Sequence, residues 1–246
     1  MRFDFGVFWH LLVSGTFLFP AWTTLWITCA AMTIGITLGL FGALALLSRL
    51  AVVRWLAGAY LWIFRGTPVL VQIIFWYDAT AELTNNAVNL PALLAGVIAL
   101  GVNEGAYMSE IVRAGLISVD RGQLEAARSL GMTYGLAMRR IVIPQAIRII
   151  LPPTGNQVIG MLKTTSLLFT IAVPEIFATG TNLYSTNFRY FEVLAVVSLW
   201  YLFLTSVLTA VERSLERRFG YDRMNAGRSG EGVFARVFRF GGRGAR

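Results

Sequence analysis

The stretches CAAMTIGITLGLFGALALL (29–47) and VLAVVSLWYLFLTSVLTAV (193–211) contain no charged side chain, and they decide the architecture. Each is long enough, at ~1.5 Å rise per residue, to cross a hydrocarbon layer of ~30 Å. Composition points the same way: of 246 residues 56% are hydrophobic and 14% charged, against roughly 25% charged in a soluble domain. Two buried helices in a soluble core would leave three further apolar stretches for only 21 basic and 13 acidic side chains to cover. The expected fold is all-α, a polytopic membrane protein of about five transmembrane helices.

Working outward, spans are expected near 22–47, 55–77, 88–112, 155–175 and 190–212. The second is interrupted by Arg65, Gly66 and Pro68. Proline removes a backbone donor there, and a break of this kind needs protein or water beside it. Residues 1–21 read as an interfacial segment, because Phe3, Phe5, Phe8, Trp9, Phe17 and Phe19 lead into the first span. Asp4 stands where a signal peptide would carry basic residues, so no cleavable signal is expected. Cys29 and His10 are each alone of their kind, which leaves no disulfide within the chain and no metal-ligand spacing.

Charge asymmetry orients the spans. Arg49, Arg54 and Arg65 flank one loop, and Arg113, Arg121, Arg128, Arg139, Arg140 and Arg148 fill or border the 113–148 connection. Arg213, Arg217 and Arg218 open the tail, while the other side has Asp78 and Glu82 in one loop and Arg189 flanked by Glu175 and Glu192 in the other. The N-terminus is therefore expected outside and the C-terminus in the cytoplasm. The net charge of +8 belongs to residues beside spans, where an anionic inner leaflet accounts for them. Nucleic acid is not an expected partner. Residues 220–246, rich in Gly and Arg, are expected to form a poorly ordered cytoplasmic tail.

The most informative connection is SVDRGQLEAARSLGMTYGLAMRRIVIPQA (118–146). Asp120 can cap a short helix, Gln123 can complete a capping box, and Gly131 can end it. Thr133 can then cap a second helix running toward Pro144. Ala126 and Ala127 let another backbone approach, with Glu125 and Arg128 around them. A docking surface and an amphipathic helix lying on the membrane both fit this pattern.

The order Glu125-Ala126-Ala127, Gly131, Ile141-Val142-Ile143-Pro144 resembles the EAA loop of permease subunits in bacterial ATP-binding-cassette (ABC) importers. Ile143 stands where that pattern usually has leucine. Arg65-Gly66-Thr67-Pro68-Val69-Leu70-Val71-Gln72 is similar to the RGTPxLVQ signature of the polar amino acid subgroup. Gly105 to Gly115 is similar to its GAYxAEIxRGG stretch, and Lys163-Thr164-Thr165-Ser166-Leu167 also fits. The resemblance covers roughly residues 15–215.

It implies a type I importer permease with a permease domain over 22–215 and a coupling loop at 118–146 within it. It further implies two ATPase subunits, a second permease subunit (identical or homologous), an extracytoplasmic solute-binding protein and a polar amino acid as solute. Glu125, Ala126, Ala127 and Gly131 would make the ATPase coupling. The chain has no GxxxxGK[ST] loop, so ATP hydrolysis is expected in the separate subunits, and no cofactor or metal is expected.

Glu104 and Glu110 fall within the third apolar segment, where carboxylates face a bundle interior or an aqueous path. Asn103 and Glu104 can meet the ammonium group of an amino acid, with Glu110 a further contact. Glu110 can instead pair with Arg113 or Arg65. Arg65, Gly66, Thr67, Pro68, Lys163, Thr165 and Ser166 are expected to serve gating or packing. Two other readings stand beside this one: an ion-gradient-driven secondary transporter would account for Glu104 and Lys163 but would have more spans and internal repeats, and a non-transporting membrane scaffold subunit leaves the capped cytoplasmic loop without a purpose.

Overall fold

A computed structural model describes residues 3–85 and 87–218; Met1, Arg2, Asn86 and the 219–246 tail lie outside the described residues. The described chain forms nine successive helices. They are α1 (Phe5–Val13), α2 (Leu18–Leu46), α3 (Ala51–Gly66), α4 (Val69–Leu83), α5 (Ala92–Ile117), α6 (Arg121–Ser129), α7 (Tyr134–Ile171), α8 (Ile176–Asn187) and α9 (Tyr190–Arg218). Among the described residues α2, α5 and α9 are long and apolar enough to cross a membrane. Counting the bent pairs α3–α4 and α7–α8 as one span each gives up to five.

The helix α5 is the axis of the bundle: 67% of its most apolar stretch is buried, against 28% for α2 and 22% for α9. The outer helices turn large apolar side chains outward, among them Phe41, Trp55, Trp62, Leu202 and Phe203. A soluble protein would hide these; a lipid-facing surface requires them. The α2–α5 contact is close because α2 has no side chain at Gly35 and Gly39. A Cβ at Gly35 would stand 2.6 Å from Glu104 Cγ, and one at Gly39 would run into Met108. Small residues at this spacing bring membrane helices together without a hydrophobic driving force. A second apolar cluster (Phe17, Leu162, Ile176, Val193, Val196) joins the start of α2 to α7, α8 and α9.

Several expected boundaries move. The first span begins at Leu18, with Pro20 in the first turn, where a missing donor costs nothing. The second expected span is two helices at 105°. The fourth does not begin at 155. Its helix starts at Tyr134, inside the 118–146 loop, and passes through Pro144, Pro152 and Pro153. Pro144 would orphan a carbonyl and crowd the preceding turn of a regular helix. The chain forms a wider π turn over Met138–Val142 instead, with Ile143 donating to the Met138 carbonyl. The loop's second helix, expected to run toward Pro144, therefore continues through it into the fourth span.

Candidate transport site and coupling loop

The α3–α4 corner follows from one missing donor. Pro68 has no N–H to give to the Phe64 carbonyl four residues earlier. Two side chains supply the hydrogens: Gln72 Nε2 donates at 3.0 Å and Asn103 Nδ2 at 2.8 Å. Gln72 also donates to the Thr67 hydroxyl at 2.7 Å, and its Oε1 accepts from Asn103 at 3.0 Å. The corner turns Arg65 over the Tyr107 ring, 5.5 Å from its centroid.

Beside the corner lies a cavity of about 480 Å³ between α3, α4, α5 and α7. Arg65, Thr67, Asn103, Glu104, Tyr107 and Gln157 supply most of its polar lining. Glu104 is 5% exposed, and its Oε1 has no hydrogen-bond partner. Gly35 gives its stem room, and Tyr60, one helix away, spends its hydroxyl on the Val102 carbonyl at 2.6 Å. A buried carboxylate oxygen without a donor is costly. The same residue lines the cavity.

The structure separates the other expected contacts. Glu110 is bound to Arg113 at 2.9 Å and lines a different groove, on the far side of Arg65. Of the two partners open to it, Arg113 is the one used. Asn103 reaches the cavity, but its amide N–H groups are committed to the corner. Lys163 is exposed and, with Ser166, Tyr201 and Thr205, lines another groove between α7 and α9. Thr165 is buried and bonds to the Leu162 carbonyl of its own helix.

Tyr107 and Gln157 line the cavity without having been named as site residues from the sequence, and Gln72 and Thr164, seen there only as parts of signature stretches, stand at its edge. The spacing of Gln157, Met161 and Thr164 marks one helix face, a signal present in the sequence. The position of Gln72 follows only from the fold. Glu175 was likewise unexpected: it is fully buried, caps α8 through the N–H of Phe177, and accepts from Tyr201 at 2.7 Å.

In the 118–146 loop, Asp120 caps α6 by accepting from Gly122 N–H at 2.7 Å. The capping box does not close. The Gln123 side chain reaches across to Gln145 at 3.2 Å instead, tying α6 to α7. Gly131, at φ 80°, ends α6: its N–H donates to Arg128 O at 2.9 Å and Met132 N–H to Ala127 O at 3.1 Å. These are the paired bonds of a Schellman stop. Glu125 and Ala126 face outward, whereas Ala127 is 2% exposed and packs toward the chain's own turn. Thr133 occupies the cap position of α7 without a side-chain hydrogen bond.

Residues 35–221 match the family described as binding-protein-dependent transport system inner membrane component. The chain belongs to that family. This permease is 41% identical over 209 residues to the arginine transport system permease protein ArgU of Corynebacterium glutamicum, covering 80% of the permease and 66% of ArgU. The crystal structure of an amino acid ABC transporter with histidines contains a chain 39% identical to it, with a TM-score of 0.78 over 89% of the permease and 100% of that chain. A chain of the MetNI methionine ABC transporter in inward-facing conformation shares the fold at 17% identity and a TM-score of 0.70, covering 88% and 99%. The fold is that of a type I ABC importer permease, a multi-pass inner-membrane protein. It is a membrane component of an ABC importer complex and is not itself the ATPase.

The permease's first helix lies before the matched stretch. Asp4 caps α1 through the N–H groups of Gly6 and Val7, and its other oxygen accepts from Arg189 at 2.8 Å. The Asp4 N–H donates to Glu192 at 3.0 Å. The Arg189 hydrogen bond first, and then that from Val7, hold the Asp4 carboxyl below the usual aspartate range. Phe3 packs edge-on against Phe5 and Phe191, so α1 is pinned to the start of α9 by both charge and rings.

Proposed function

We propose that this permease carries a polar amino acid inward, driven by ATP bound and hydrolysed in separate subunits, and that Glu104 meets the solute. The observation that carries the reading is buried Glu104, whose Oε1 has no hydrogen-bond partner and which lines a cavity of about 480 Å³. That volume suits a small molecule, and an ammonium group supplies the donors the carboxylate lacks. Arg65, at the same cavity, can face a carboxylate at the other end of an amino acid. ArgU, an arginine system permease, and the related chain from an amino acid transporter support the substrate class.

In this account two permease subunits, identical or homologous, pack together above two ATPases. Residues 22–215 form the permease domain, the N-terminus lies outside and the basic tail lies in the cytoplasm. The exposed Glu125 and Ala126 meet the ATPase, Ala127 seats the helix against the π turn, and Gly131 sets the corner. Gln123–Gln145 carries movement of α6 into α7, the helix that supplies Gln157 to the cavity. An external binding protein delivers solute to the face built from 78–89 and 174–192, where Phe188 and Tyr190 are exposed and Tyr184 is stacked beneath Tyr190.

The test is uptake of radiolabelled L-arginine and L-histidine by proteoliposomes holding the full complex, with binding protein outside and ATP inside. Accumulation that needs both is expected. Accumulation without binding protein, or net efflux in the reverse arrangement, would contradict the reading.

A further inference from the structure

We infer that Gln72 and Asn103 act as positioning residues for transport: jointly holding the Phe64 carbonyl, they set where Arg65 and Thr67 stand against the solute cavity. The inference rests on the reading of that cavity as the solute site.

The geometry leaves little freedom in how the two amides point. Around Gln72 Nε2 stand three oxygens: Phe64 O at 3.0 Å, Thr67 O at 3.2 Å and Thr67 Oγ1 at 2.7 Å. Turning that amide over would set oxygen against both carbonyls, and against a Thr67 hydroxyl whose proton is given to the Ile63 carbonyl at 2.8 Å. With Nε2 so placed, Gln72 Oε1 faces Asn103, which must then present its own Nδ2 to Oε1 and to Phe64 O. Each orientation enforces the other. The network exists because Pro68 withholds a donor, so its strength is concentrated on one carbonyl at the bend.

That carbonyl belongs to the residue just before Arg65, and the clamp's second member just precedes Glu104 on α5. The corner is thereby tied to the helical turn that carries the unpartnered carboxylate. Without the clamp, α4 is free to swing about Gly66–Thr67, and the cavity loses the wall holding Arg65 and Thr67. Asn103, expected from sequence to touch solute, acts instead through the corner.

Gln72→Met keeps length and removes every hydrogen bond of the amide; Asn103→Leu does the same from the other side. Each is assayed in the purified permease–ATPase complex by equilibrium binding of radiolabelled L-arginine and L-histidine. Expected is a Kd raised about tenfold by either change, the size of one lost hydrogen bond to a partly buried carbonyl. The double variant should be little worse than one change, since both act on the same oxygen. A merely structural role would lower the yield of complex and leave its Kd unchanged, and that result overturns the inference. If Gln72→Met does not assemble, Thr67→Val, which removes the 2.7 Å contact with Gln72 together with the hydroxyl's own 2.8 Å bond to the Ile63 carbonyl, is judged by the same criterion. Weakened binding in Glu104→Gln beside normal binding in the clamp variants defeats the clamp alone. Normal binding in Glu104→Gln defeats the cavity reading itself, and this inference with it.

Discussion

The chain turns sharply at Gly131 and at Arg65–Pro68, and it closes the two corners by opposite means. At Gly131 the helix stops itself: its own backbone N–H groups return to Arg128 and Ala127, and a positive φ completes the turn. At Arg65–Pro68 the backbone is left one bond short, and distant side chains on α4 and α5 make up the loss. The first corner is local and keeps its shape wherever α6 goes. The second exists only while α3, α4 and α5 stay together, so it can report on what lies between them. A coupling helix needs the former property, and a cavity wall that responds to solute needs the latter.

The largest effect on stability is expected at the second corner. Asn103→Leu leaves the Phe64 carbonyl and Gln72 Oε1 short of a donor and should destabilise the protein by about 1–3 kcal/mol. Thermal unfolding of the purified complex measures this, and an unchanged Tm would mean that the clamp is dispensable. Gly131→Val comes next. No atom stands within 4 Å of the Cβ position, so the penalty is purely conformational, about 1–2 kcal/mol for a left-handed backbone. The complex should still assemble while uptake per ATP hydrolysed falls several-fold, and Gly131→Asn, which tolerates that conformation, should retain more coupling. Wild-type coupling in Gly131→Val would remove the distinction between the two corners.

Asp120→Ala should be milder, about 1 kcal/mol for a lost N-cap, seen as faster amide exchange confined to residues 121–129. The smallest effect belongs to the Asp4 latch. Its folded-state pKa is depressed, so its contribution is present above the unfolded value, about 3.9, and is lost as pH falls through the folded value. Amide exchange in α1 should be flat from pH 5 to 8, after correction for intrinsic rates, and rise in more acid buffer. Asp4→Asn should show the loosened state at neutral pH, less clearly at high salt.

This same contrast governs what could be read from the sequence. Uncharged runs gave the membrane helices, and Asp120 and Gly131 marked their helix ends correctly, because each acts within a few residues of itself. The break at Arg65–Pro68 was also visible, since proline lacks a donor in any context. The identity of the replacement donors was not, because Asn103 lies 39 residues from Phe64 along the chain. Gln123 fitted a capping box, yet tertiary structure offered it Gln145. The helix expected to run toward Pro144 passes through it, because a π turn absorbs the proline. Lys163 and Glu104 both read as polar residues within spans; only packing placed them at separate cavities.

The account is tested most directly at Glu104. Equilibrium binding of L-arginine and L-histidine to the purified permease–ATPase complex, with no binding protein present, isolates the cavity from external capture. Glu104→Gln keeps the shape and removes the charge that an ammonium group would meet. The account predicts that affinity falls tenfold or more, a difference of about 1.4 kcal/mol at the least. Unchanged affinity, with transport by the complex also unchanged, would contradict it.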